Sequence, residues 1–115
     1  AWGWTYGDMA AAGAMPWRDG RYFVEHSPLF AADGIGTPLL LLHGLDDTNV
    51  TPGQSVEMFT ALEVLGREVE MVTFPGEGHG IAGSFTDYLA HRRMILEWFD
   101  RWLRKRPEAW RSRWE

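Results

Sequence analysis

Hydrophobic positions divide this chain into blocks with different rhythms. Leu39 to Leu42 are apolar without interruption, after Thr37-Pro38 and before His43-Gly44. Periodicity alone does not separate a buried strand from a helical segment over so short a run. Its length, the preceding proline and the following glycine favour a strand over 39–43, buried on both faces. HGLDDTNV then reads as a polar loop. Val56, Met58, Phe59, Leu62 and Leu65 return at helical spacing, predicting a helix over 52–65. Thr51 is placed to cap it, Pro52 suits the first turn, Gln54 completes a capping box, and Gly66 is the stop. VEMVTF, 69–74, alternates in part and reads as a second strand. Strand, helix, strand in this order predicts parallel pairing with a right-handed crossover.

The longest periodic stretch is 84–106, where Tyr88, Met94, Ile95, Trp98, Phe99, Trp102 and Leu103 form a broad apolar face. Ser84 with Asp87 is a capping pair at its start, and Pro107 is a late stop. The Trp98–Trp102 stripe is expected in the core, and His91 half-exposed on the helix. Residues 1–37 show weak periodicity and read as irregular, with short helices possible over Asp8–Ala14 and Arg21–His26. No repeat or linker divides the chain, so an α/β unit within one domain is expected.

Composition adds limits to that frame. The chain has 115 residues, 45% of them hydrophobic, with seven Trp, six Phe and three Tyr. Aromatics in that number predict a real core or a substantial interface. A formal net charge of −5 argues against nucleic acid or an anionic membrane as the main partner. The locally basic tail, Arg104 to Arg113, is expected to be a solvated helix end facing the negative end of the dipole. The absence of Cys excludes disulfides and thiolate metal sites without fixing a compartment. The longest apolar run is far too short to cross a bilayer. The chain begins AWGW rather than with Met, which suggests a fragment and leaves localisation unknown.

Chemistry concentrates after the two strands. In an open parallel sheet, ligands bind at the carboxyl ends of the strands. HGLDDTNV and PGEGHG should emerge at the same edge, bringing Asp46, Asp47 and His79 together. A carboxylate that orients a histidine is the acid and base half of a catalytic triad. The glycines around His79 let its loop bend sharply. A carboxylate pair near a histidine could suggest a metal, but no second histidine stands at ligand spacing, so no metal site is expected.

TPLLLLHGLDDTNVTPGQSVEMFTAL, then VEMVTFPGEGHGI, then ILEWFDRWL resemble the carboxyl-terminal end of the prolyl oligopeptidase family of serine peptidases, as does SPLFAAD before the first strand. The resemblance covers roughly residues 22–103. It implies the carboxyl-terminal part of an α/β-hydrolase fold, with 1–115 as a fragment of one catalytic domain. In His-Gly-x-x-Asp-x-x-Val the family's triad acid falls on Asp47, and the glycine-flanked histidine is His79. His43 falls where the family keeps a structural histidine. The resemblance also implies that Trp4 and Tyr6 help line a substrate pocket. It implies a peptide substrate and no cofactor.

One departure matters. The family's nucleophile sits on a Gly-x-Ser-x-Gly elbow that precedes the acid. No such motif occurs here: Ser27, Ser55, Ser84 and Ser112 all lie in other contexts. The elbow is expected before Ala1. The chain is then expected to be inactive alone and to need the rest of its domain, or another copy of itself, over its exposed strand. Two alternatives stand beside this reading: a fragment of another α/β-hydrolase, such as a dienelactone hydrolase or esterase, and a non-enzymatic binding or assembly module.

Overall fold

A computed structural model of the chain describes Gly13 and residues 15–115. Its elements run α1 (Gly20–Glu25), a 3-10 helix (Pro28–Gly34), β1 (Leu39–Gly44), α2 (Gly53–Val64), β2 (Val69–Phe74), α3 (Phe85–Leu103) and α4 (Glu108–Trp114). β1 and β2 pair in parallel, with Leu39 opposite Val69 and Gly44 opposite Phe74. The register places the ends of both strands, and the loops that follow them, at one edge. The expected strand–helix–strand order and parallel pairing are therefore present. The helix proposed over Asp8–Ala14 falls outside the described residues apart from Gly13, and the 3-10 turn was not foreseen.

The helix ends follow their local chemistry. α2 closes on Gly66, whose φ is +65°; Gly66 N–H bonds Glu63 O at 2.9 Å and Arg67 N–H bonds Leu62 O at 2.9 Å. This is the paired bonding of a Schellman stop. Its start departs from expectation. Pro52 is the cap residue and no side-chain capping bond forms there. Backbone bonds from Gln54 N–H to Thr51 O and from Ser55 N–H to Pro52 O hold the first turn in place of the capping box. At α3 the Ser84 hydroxyl does accept the Asp87 N–H, at 3.3 Å.

The core gathers on one side of the two-stranded sheet. Phe74, Ile81, Met94, Trp98 and Trp110 are buried together, with Leu40, Leu42 and Val72 of the strands packed against them. Leu62 of α2 is fully buried. The β1 leucines are only half-buried, against the expectation of burial on both faces. Two strands and the described helices do not cover both faces, and an open apolar groove of about 290 Å³ runs between β1 and Ile95, Trp98 and Phe99 of α3.

The terminal helix is shorter than the expected 84–106. It ends at Leu103, and Lys105 turns the chain with φ +58°. The basic tail is not merely a solvated end. It folds back as α4, burying Trp110 to 2% exposure in an edge-to-face contact with Trp98, centroids 5.0 Å apart. Glu97, buried in α3, receives the Arg113 guanidinium and, at 2.7 Å, the Trp114 indole N–H. No helix among the described residues is long and apolar enough to cross a membrane.

Candidate active site

The two strand-end loops are laced together by backbone. Leu45 N–H bonds Phe74 O at 3.0 Å, and Asp46 N–H bonds Glu77 O at 2.9 Å. Gly44 permits this approach. A Cβ there would lie 2.3 Å from Glu77 O and 2.4 Å from Gly78 O, distances that no side chain tolerates.

Asp47 stands in the first loop with its side chain 4% exposed. Oδ1 accepts the Asn49 and Val50 N–H groups, each at 2.9 Å. Oδ2 lies 2.8 Å from Nδ1 of His79. Burial raises the carboxyl pKa. Hydrogen bonds from Val50 N–H, the His79 ring and Asn49 N–H outweigh it, together with the attraction of His79, and the pKa falls from 3.8 to about 2. Asp47 is thus an ionised acceptor across the ordinary pH range. Asp46, the neighbouring carboxylate, is exposed and joins the site only through its backbone N–H.

His79 is the exposed member of the pair, with 58% of its side chain open to solvent. A carboxylate can only accept, so the neutral ring places its proton on Nδ1 and directs it to Asp47. Nε2 is left with a lone pair and has no hydrogen-bond partner among the described residues. That is the tautomer of a general base. With His43, Gly44 and Ile81, the pair lines a small open hollow of about 140 Å³. Ile81 follows with φ +44°, an unusual conformation for a β-branched residue, held by its side chain buried in the core. A larger hollow of about 590 Å³ beside Tyr22, His26, Phe30 and Gln54 shares no lining residue with the pair.

A second histidine supports the first loop from below. His43 is buried at the end of β1; its Nε2 lies 2.9 Å from Val50 O and its Nδ1 2.7 Å from Ser55 Oγ. The carbonyl requires Nε2 to donate, so in the neutral ring Nδ1 accepts from the Ser55 hydroxyl. The same Nε2 lies 3.4 Å from Asp47 Oδ2.

The structure brings Asp47 and His79 together and leaves the Asp46 side chain exposed beside them. Trp4 and Tyr6 lie outside the described residues. Ser55 and Glu77 also stand beside the pair, and the sequence reading connects neither of them to it. Glu77 is 3% exposed, and its carboxylate accepts Gly83 N–H at 2.8 Å and Ser84 N–H at 2.6 Å. Among the described residues, no group of three or more His, Cys, Asp or Glu side chains could hold a metal ion.

Known proteins resemble this chain in sequence and in fold. Residues 1–106 match the model of the prolyl oligopeptidase family. The chain is 35% identical over 81 residues to an uncharacterized peptidase of Bacillus subtilis, covering 69% of this chain and 12% of that protein. It is 30% identical over 97 residues to dipeptidyl-peptidase 5 of Porphyromonas endodontalis, covering 81% of this chain and 14% of the relative. Among solved structures, the acylaminoacyl peptidase of Pyrococcus horikoshii superposes with a TM-score of 0.65 at 36% identity, covering 69% of this chain and 13% of that one. The chain therefore spans only about an eighth of the length of the proteins it matches.

Proposed function

This chain belongs to the prolyl oligopeptidase family of serine peptidases, within the α/β-hydrolase fold, and from that premise we propose that Asp47 and His79 are the acid and base of a Ser-Asp-His triad that hydrolyses peptide bonds. The observation that carries the proposal is the 2.8 Å bond from His79 Nδ1 to a buried, ionised Asp47, with Nε2 left unbonded. Residues 1–115 form the carboxyl-terminal part of one catalytic domain, and the nucleophile is supplied by sequence outside this chain.

The chemistry then runs as acyl transfer. As serine Oγ attacks the scissile carbonyl, His79 Nε2 takes the hydroxyl proton. Asp47 holds Nδ1–H and stabilises the imidazolium that results. When the tetrahedral adduct collapses, His79 returns the proton to the departing amine, leaving an acyl-enzyme. Water, deprotonated by the same Nε2, releases the acid and restores the serine. The peptidase relatives favour this reading over an ester hydrolase or a binding module.

The isolated chain should lack activity. Its apolar groove along β1 and α3 is covered by the remainder of the same domain, or by a second copy when that remainder is missing. The test is hydrolysis of an aminoacyl anilide and a short-chain ester by the complete protein, by its Asp47→Asn variant and by residues 1–115 alone. The proposal expects preference for the anilide, a fall of about 10⁴-fold in kcat for the variant, and no turnover by the fragment. Turnover by the fragment, or a fully active variant, would sink it.

A further inference from the structure

We propose that Glu77 is a positioning residue for the catalytic base: its buried carboxylate closes the His79 loop and holds the imidazole in register with Asp47. This rests on the reading of Asp47 and His79 given above and adds a second carboxylate that acts through the loop. Glu77 sits two residues before His79 and does three things at once. Its backbone carbonyl accepts Asp46 N–H, which ties the base loop to the acid loop next to Asp47. Its two carboxylate oxygens take Gly83 N–H and Ser84 N–H on the far side of His79. The segment carrying His79 is thereby fixed at both ends by one residue.

The arrangement costs a buried carboxylate, which only good partners offset. Both oxygens have them, and both donors lie at the start of the 19-residue α3, where the helix dipole favours negative charge. In an ordinary capping box the acid three residues after the cap would reach back to the cap's own N–H. Here Asp87 stands at that position, yet Ser84 N–H goes to Glu77. The cap of α3 has been recruited to the catalytic loop, so the rigid helix becomes the anchor for a glycine-rich segment that has little stiffness of its own. Gly83 contributes by its size: a Cβ there would crowd both Glu77 oxygens at 3.3 Å. His79 remains more than half exposed and has Asp47 as its hydrogen-bond partner among the described residues. Its orientation therefore depends on where the loop is held.

A misplacement of about 1 Å in a catalytic group can cost on the order of 10²-fold in rate. Glu77→Gln keeps the side chain's shape but turns one acceptor into an NH₂ group facing a backbone N–H. In the complete protein, this variant should lower kcat about 10- to 100-fold with KM nearly unchanged. Combined with Asp47→Asn, it should add little further loss, because its effect passes through the Asp47–His79 bond. A fall in KM-dependent binding instead, or a loss that multiplies undiminished in the Asp47→Asn background, would overturn the proposal. So would wild-type kcat in Glu77→Gln alongside a crippled Asp47→Asn. A fully active Asp47→Asn would instead overturn the triad reading itself. Amide exchange of the unmodified protein covers the case in which the variant fails to fold. The Gly83 and Ser84 N–H groups should exchange at least 100-fold more slowly than unstructured amides. Exchange at unstructured rates would refute the clamp.

Discussion

Asp47 spends two oxygens on three donors, and that arrangement sets a pH window. With its folded pKa near 2 against 3.8 for an unpaired carboxyl, the native state holds fewer protons than the unfolded one between those values. Its contribution to stability is therefore full above about pH 4 and is lost as the pH falls through about 2. Asp47→Asn should flatten the acid limb of a denaturant-midpoint titration across that window; an unchanged limb would contradict the assigned bonds. Ser55 offers a second measurement. Ser55→Ala removes the donor to His43 Nδ1 and leaves a buried ring nitrogen unsatisfied, at a cost of about 1–3 kcal/mol in unfolding free energy. Asp47 and His79 were legible in the sequence because both follow strand signals and flank one helix and one strand. Ser55 and Glu77 were not. Their partners, a strand-end histidine and a pair of backbone amides, are set by tertiary approach, and no local spacing rule encodes that.

At the scale of elements, punctuation proved more readable than burial. Gly66 was legible as a stop because only glycine takes φ +65° without strain. Gly66→Ala should cost about 1 kcal/mol, with no steric contribution, since nothing lies within 4 Å of the added Cβ. Gly44→Ala is the contrasting case. There the new methyl meets the Glu77 and Gly78 carbonyls, so the two loops must separate and catalysis should fall with stability. The end of the chain was misread because five cations between Arg104 and Arg113 look like a solvated surface. The decisive residues were Trp110 and Trp114, one helical turn apart, and a glutamate in α3 waiting for Arg113. Trp110→Ala should lower stability by about 3–5 kcal/mol, read from denaturant unfolding. A change below about 1 kcal/mol would show that α4 does not pack as described.

For the whole molecule, the pattern of exposure matches a part better than a self-sufficient domain. Leu96, Phe99 and Leu103 of α3 are all more than half exposed, and Phe99 shares a groove with the half-buried leucines of β1. Apolar patches of this kind mark interaction surfaces. Residues 1–115 expressed alone should associate or bind hydrophobic dyes, and the complete protein should not; a monodisperse, folded monomer of the short chain would contradict this. The strand–helix–strand order and the parallel pairing were readable from period and turn residues. The half-open sheet was not, because an uninterrupted leucine run signals a strand made for burial on both faces without saying which chain segment does the burying. The central claim remains local: His79 Nε2 is the base of a peptidase. A peptidyl chloromethyl ketone tests it most directly, because the triad nitrogen displaces chloride from the reagent's methylene and keeps the adduct. Peptide mapping of the treated complete protein should find a single alkylated histidine, His79, together with loss of hydrolysis. Alkylation of His26, His43 or His91 instead, or inactivation with His79 unmodified, would contradict it.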